Sequence, residues 1–387
     1  GDPVIRFTHL IHGGGPVSGP AAKHSHLAFE EGRRGPVVFW NITSRCNLAC
    51  THCYLRSGPR RRREDELTTG EAKSLIDDLA AANVPLLLFS GGEPLMREDF
   101  WSLAAHAQER GIPAVLSTNG TLITPTVARR LRDAGIGYAG ISLDGATAAT
   151  HDLFRGVVGS FDRSVQALKY CIDAGLRCGV RFTVTKRNHS ELGRLIALAR
   201  SIGVHRFCVY WLVPSGRGGD AHADLQVGPG EVQGVIDLIY RETLRTDPAA
   251  MEFLTVDAPQ DGVCLLEMLK ADAHPAYDRT YRLLARMGGC SAGRRVANID
   301  PSGNVYPCQF AQFREFLAGN IRDRPFSEIW SDPGNQVLTA FREGEARPGS
   351  PCSTCDRQEV CGTGCRVRAY VRYGDLNSGD PLCLRHG

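Results

Sequence analysis

Between Cys46 and Cys53 three thiols fall within eight residues, Cys46-Asn47-Leu48-Ala49-Cys50-Thr51-His52-Cys53, directly after the apolar run Val37-Val38-Phe39-Trp40. A strand that delivers a metal-binding loop at its carboxyl end is the arrangement this predicts. A structural zinc site takes four ligands and closes itself off, whereas a [4Fe–4S] cluster on three cysteines leaves one iron open to another ligand. His52 offers the alternative of a fourth zinc ligand, but next to Cys53 it would have to fold back sharply.

The remaining cysteines point the same way. Of 14 in the chain, seven lie between Cys290 and Cys383. Clustered cysteines without an export signal read as metal ligands rather than disulfides, which predicts a reducing, cytoplasmic setting. No run of 18 apolar residues occurs, and residues 1–30 are rich in Gly, Pro and His rather than basic then apolar, so neither a membrane span nor secretion is expected. The formal charge of +3 provides no field to recruit nucleic acid or an anionic membrane. With 387 residues and 42 % hydrophobic content, two domains or one with a large appendage is the expectation.

From Val37 to Leu212, short β-rich runs alternate with longer helical patterns. Strands are predicted at Val37–Ile42, Pro85–Ser90, Pro113–Ser117, Tyr138–Leu143, Cys178–Thr185 and Arg206–Leu212. Helices are predicted near Thr68–Ala82, Glu98–Arg110, Pro125–Ala134, Ser160–Ala174 and His189–Ile202, the first opening with the capping-box pattern Thr68-Thr69-Gly70-Glu71. Such alternation implies a parallel sheet of right-handed crossovers, an α/β barrel too short for eight units. Upstream, Gly13-Gly14-Gly15-Pro16 and Gly32-Arg33-Arg34-Gly35-Pro36 mark loops, and Phe7, Leu10 and Ile11 predict one short element docked on the barrel.

Chemistry in such sheets sits where strands end. There the chain places Gly91-Gly92-Glu93, whose glycines would let backbone approach a ligand, and Ser117-Thr118-Asn119-Gly120, for which an ordinary Asn-Gly turn is the alternative. Ser142-Leu143-Asp144-Gly145 follows the fourth strand, with a helix-capping Asp144 as the structural reading. Thr183-Val184-Thr185-Lys186 ends the fifth strand. Trp211-Leu212-Val213-Pro214 ends the sixth, and the glycines of Ser215-Gly216-Arg217-Gly218-Gly219 would permit a mobile gate. The run Arg60 to Arg63 before Glu64-Asp65-Glu66 reads as a solvated, self-neutralised loop, with a carboxylate clamp as the alternative. Cys171, Cys178, Cys208 and Cys264 read as small buried hydrophobes.

The C-x3-C-x2-C spacing followed by Ser90-Gly91-Gly92-Glu93-Pro94 resembles the radical S-adenosylmethionine (SAM) superfamily. That resemblance implies a partial (βα)6 barrel, and a [4Fe–4S] cluster on Cys46, Cys50 and Cys53 whose free iron chelates SAM. One electron then breaks SAM to a 5′-deoxyadenosyl radical. It further implies SAM contacts from Gly91, Gly92, Glu93, Asn119, Ser142, Arg155 and Thr183, and an adenine seat at Leu212 and Val213. In the C-terminal region, Cys290, Gly303-x4-Cys308, Cys352-x2-Cys355-x5-Cys361-x3-Cys365 and Cys383 resemble the SPASM domain. By that resemblance Cys290, Cys308 and Cys365 hold one auxiliary [4Fe–4S] cluster and Cys352, Cys355, Cys361 and Cys383 another. Cys264, a non-cysteine residue or the substrate is left to complete the first, and a pair of zinc knuckles is the alternative. The implied division is an N-terminal extension (1–36), a partial barrel (37–220), bridging helices at Gly230–Arg245 and Gly262–Ala271 (221–285), and the cysteine-rich SPASM domain (286–387).

Trp40-Asn41-Ile42-Thr43-Ser44-Arg45, Gly288-Gly289-Cys290-Ser291-Ala292-Gly293 and Gly319-Asn320-Ile321-Arg322-Asp323 are similar to the enzymes that remodel siroheme-derived tetrapyrroles in the alternative haem and haem d1 routes. Many of those relatives replace several SPASM cysteines, whereas this chain keeps all seven, a trait of peptide-modifying members. The expected reaction is hydrogen abstraction from an acetate or propionate side chain of an iron tetrapyrrole, fed by a donor such as flavodoxin or ferredoxin. Arg294, Arg295, Arg366 and Arg368 are candidates to pair with macrocycle carboxylates. The alternatives are a maturase that crosslinks a ribosomal peptide and a non-catalytic iron–sulfur electron carrier.

Overall fold

The computed structural model describes residues 4–13, 35–61, 64–344, 346–347 and 349–385. The loop signals at Gly14–Pro16 and Gly32–Arg34, and Arg62 and Arg63 of the arginine run, lie outside the described residues. In chain order the strands are β1 (Val4–Ile5), β2 (Val37–Asn41), β3 (Leu87–Ser90), β4 (Ala114–Thr118), β5 (Ile136–Ser142) and β6 (Cys178–Val184). They continue with β7 (Arg206–Trp211), β8 (Glu252–Val256), β9 (Val296–Ile299), β10 (Asn304–Tyr306) and β11 (Gly319–Asn320). The six strands expected from the sequence are β2 to β7, shifted at their ends by a residue or two, as boundaries commonly are.

All belong to one 11-stranded sheet in the order β1-β8-β7-β6-β5-β4-β3-β2-β9-β10-β11. From β8 across to β9 every pairing is parallel. The helices expected between strands are present, and Thr68 and Glu71 close a reciprocal capping box on helix Thr69–Ala81. The stretch expected to bridge by helices alone also supplies β8, parallel to β7, between helices Pro229–Arg245 and Asp261–Ala271. Phe7, Leu10 and Ile11 are buried on helix Phe7–His12, whose Thr8 hydroxyl accepts the Phe253 amide of β8. On the other flank β9 takes the open side of β2, so the C-terminal hairpin extends the barrel sheet.

Side chains alternate across a strand, and here the two faces differ in kind. Outward residues such as Leu116, Phe182 and Phe207 are buried in the main core with Leu79, Leu103 and Leu168 of the surrounding helices. Inward residues Leu88, Val115, Ser117, Tyr138, Ser142, Arg181, Thr183, Arg206 and Tyr210 all keep accessible surface. An eight-stranded barrel fills its interior with side chains; this open one keeps a lumen.

Candidate active site

The thiol loop leaves the carboxyl end of β2 and is pinned from three sides. From β3, the Gly92 amide donates to Thr43 O at 2.7 Å and the Glu93 amide to Arg45 O at 2.8 Å. A Cβ at Gly91, where φ is +143°, would fall 2.5 Å from Thr43 O, and one at Gly92 would collide with Arg45 O. The close approach of protein backbone by itself requires glycine at both positions. Beneath the loop, Glu66 accepts the Ser44 amide at 2.8 Å and its hydroxyl at 2.7 Å, and Asp65 accepts Ser302 Oγ at 2.7 Å. Both acids thus tie the loop to the fold.

Helix Gly216–Asp220 closes the third side. Its Arg217 amide donates to Cys53 O at 2.9 Å and its guanidinium Nε to Cys50 O at 2.8 Å. A Cβ at Gly216, whose φ is +56°, would collide with the carbonyls of Cys53 and Tyr54. This glycine segment thus clamps the loop. Neither Arg217 nor Glu66 stood out in the sequence, because an arginine in a glycine loop and an acid in a charge run have no local signature.

The three thiols share one small cluster with Leu48 and Val157. Burial pushes the Cys46 thiol up to about 12, with Glu93 and Cys50 adding to the shift. Cys50 is raised by burial and opposed by Arg155, whose Nη1 lies 3.5 Å from its sulfur. Protonated thiols must lose protons to bind iron, so loading this loop releases protons. Arg155 forms a buried ion pair with Asp144. Asp144 also accepts the Thr183 amide at 2.8 Å, and its own amide donates to His151 Nδ1 at 3.0 Å. It does not cap the following helix; Thr147 does. His52 stacks on Phe154 with ring centroids 4.3 Å apart, so its ring packs against an aromatic rather than folding back to the thiols.

The other expected SAM-contact residues ring the loop with unequal freedom. Glu93 is wholly buried and accepts from Thr118 Oγ1 at 2.8 Å and the Asn119 amide at 2.9 Å; burial raises its carboxyl to about 7. Asn119 accepts its own turn, from Thr121, and donates to Asn47 Oδ1 at 2.9 Å, so the Asn-Gly turn and a contact with the thiol loop coexist. Ser142 and Thr183 face the lumen. The side chain of Leu212 packs with Phe154 and Leu225, and that of Val213 with Ala311 and Phe316.

In the C-terminal module Cys308 is raised by burial and then by its neighbours Cys290 and Cys365, which places these three together. Cys361 is pushed up to about 12 by burial, then by Cys383, Cys352 and Cys355. An opening beside that second group is lined by its four thiols, by Gln260 and by Cys264. Cys264 therefore stands as a fifth thiol at the second group, not as the missing member of the first. Burial raises it too, with Cys383 contributing. Its position on helix Asp261–Ala271 fixes this, since that helix packs against helix Gln358–Cys361. Among the described residues every cysteine is free of disulfides, and no three Cys, His, Asp or Glu side chains converge as one metal ion would need. Grouped thiols at three places, one set beside an opening and one under a cation, suit the larger span of a cluster.

The four arginines expected to meet carboxylates of a substrate are otherwise engaged. Arg368 is buried against Asp380 at 2.7 Å, and Arg366 donates to the Gly344 carbonyl at 2.6 Å. Arg294 donates to Gly288 O at 3.1 Å, and Arg295 to Met287 O.

Comparison with known proteins fits this arrangement. Residues 40–199 match the model of the Radical SAM superfamily, and residues 290–356 that of an iron–sulfur cluster-binding domain, SPASM. The chain is 39 % identical over 366 residues to the Fe-coproporphyrin III synthase of Methanosarcina barkeri, covering 93 % of this chain and 90 % of that one. The chain belongs to the radical SAM superfamily. This radical SAM chain is also 36 % identical to the pre-heme d1 synthase of Dinoroseobacter shibae, over 90 % of itself and 86 % of that protein. To the mycofactocin maturase MftC of Mycobacterium tuberculosis it is 35 % identical, over 92 % and 85 %. It is an enzyme of SAM and a SAM-binding [4Fe–4S] cluster, with auxiliary clusters in its SPASM domain.

Proposed function

We propose that this enzyme abstracts hydrogen from an acetate or propionate side chain of an iron tetrapyrrole, on the way to haem or haem d1. The observation that carries the reading is the 39 % identity to an Fe-coproporphyrin III synthase across nearly the whole of both chains. When bound, the clusters supply the electron that cleaves SAM to the 5′-deoxyadenosyl radical and a sink for the electron left on the substrate. Cys46, Cys50 and Cys53 would hold the SAM-binding cluster. Cys290, Cys308 and Cys365 would hold one auxiliary cluster, and Cys352, Cys355, Cys361 and Cys383 the other. Arg155 faces Cys50 and favours its thiolate. Ser142, Thr183 and the backbone of Gly91, Leu212 and Val213 are assigned to SAM, while Glu93 and Asn119 position the loop.

An external one-electron donor of the flavodoxin or ferredoxin kind completes the cycle, and the thiol-rich sites suit a reducing cytoplasm. Among the described residues no helix is long and apolar enough to cross a membrane. The test is anaerobic turnover of the iron-loaded protein with SAM, dithionite and, in turn, iron coproporphyrin III and a siroheme-derived iron tetrapyrrole that still carries its acetate side chains. Release of 5′-deoxyadenosine that depends on one of these tetrapyrroles, with loss of carboxyl mass from the macrocycle, is expected. The maturase reading takes its place if both are inert and a precursor peptide restores turnover; the similarity to the mycofactocin maturase gives that arm its reason.

A further inference from the structure

Among the described residues, the lumen contains a partly buried arginine without a counter-ion. Arg181 lies in the middle of β6, a parallel strand that is otherwise Cys-Gly-Val, then Phe-Thr-Val. Its parity turns it to the inner face with Thr183, one step nearer the thiol loop, while its backbone pairs with Ser142 on one side and Cys208 on the other. The guanidinium carbon sits 4.6 Å over the ring of Tyr210. On the neighbouring strand Gly140 makes room for the stem, since a Cβ there would fall 2.7 Å from Arg181 Cδ. This side chain is seated by its surroundings rather than left loose.

What it lacks is an anion. The other buried arginines around the barrel are paired: Arg155 with Asp144, Arg206 with Glu252 at 2.8 Å, Arg368 with Asp380. Among the described residues no carboxylate lies within ion-pair distance of Arg181, and no side-chain hydrogen bond occupies its fork. Asp144, the acid that shares its surroundings, is committed to Arg155. A guanidinium cannot shed its proton at any pH a protein survives, so this one keeps its charge and leaves its donors to an incoming anion. The same inner face is apolar on its other side, where Phe39, Leu88 and Val115 line β2, β3 and β4. An apolar wall facing a fixed cation matches a flat hydrophobic body that carries carboxylates.

We propose that Arg181, held on Tyr210, receives a carboxylate of the substrate within the lumen and so sets which side chain faces the SAM site. This rests on the tetrapyrrole reading and deepens it, because the planar fork suits a carboxylate bidentately. The arginine also distinguishes the acid from its ester.

The test uses iron-loaded protein under anaerobic conditions and two probes, iron coproporphyrin III and its methyl ester, followed by the porphyrin absorbance. Arg181→Gln should weaken the free acid by roughly ten- to a hundredfold and abolish the preference for acid over ester. Arg181→Lys keeps the charge without the fork and should fall between, which preserves the test if the Gln variant folds poorly. The response of the reduced-cluster electron spin resonance to SAM should be unchanged in both. Equal affinity for the acid in wild type and variants would overturn the assignment. Loss of the SAM response with porphyrin binding intact would overturn it too, and would put Arg181 on the SAM carboxylate. A wild-type protein that binds neither probe refutes the tetrapyrrole reading itself, a failure visible before any variant is made.

Discussion

Asp261 shows how burial alone retunes a residue. Its carboxylate is buried, it accepts the indole Nε1 of Trp211 at 2.6 Å, and burial raises it to about 7, against the pull of that hydrogen bond. A carboxyl raised in the folded state contributes stability that is complete below its unfolded value near 4 and lost as pH climbs through 7. Asp261→Asn keeps an acceptor for Trp211 and removes the titration. Urea unfolding of both proteins from pH 5 to 8 should show the wild type losing on the order of 3 kcal/mol relative to the variant. Equal slopes against pH would mean that Asp261 is not the group responsible. At this scale the thiols were legible in the sequence and the arginines were not. Cysteine sets announce themselves by short spacing, whereas whether Arg181 or Arg368 is free depends on partners such as Asp380 that tertiary folding brings or withholds. The one local hint at Arg181 was a charge inside an apolar parallel strand, where both faces are ordinarily buried.

At the scale of elements, β2, its thiol loop and the turn after β3 act as one unit. Gly92 is the contact point, because the backbone of Arg45 occupies the place of a side chain. Gly92→Ala should push the loop off β3 and cost the SAM-binding cluster its seat, while the C-terminal thiols, far along the chain, keep theirs. Iron per chain should fall by about the share of one cluster, and the reduced protein should lose its response to SAM. Retention of both would show that the loop tolerates the shift. Strands β2 to β7 were readable from alternating runs between glycines and helical patterns. The single strand β8 was not: five residues between two helices carry too little periodicity, and their pairing with β7 and β1 is what makes them a strand.

At the scale of the molecule, one sheet ties both ends of the chain together. The open side of β2 is covered by β9, whose Asn298 donates to Phe39 O at 2.8 Å and Asn41 Oδ1 at 2.9 Å. A chain ending at residue 285 would leave β2, buried along its whole length here, as a bare apolar edge. Such a chain should aggregate, read as loss of the monomer peak in size-exclusion chromatography relative to the full chain; a stable monomer would show that the barrel needs no cover from the C-terminal hairpin. By itself the sequence determined the parallel α/β plan, the thiol loop and the family, because each is written in short-range periodicity or spacing; the split of the C-terminal thiols into two sets is implied by the SPASM resemblance. Tertiary structure alone decided that Cys264 joins the second group, that glycines near the loop meet backbone, and that one arginine of the lumen has no carboxylate partner among the described residues. Those outcomes depend on which distant segments come to lie side by side, and no local pattern encodes that.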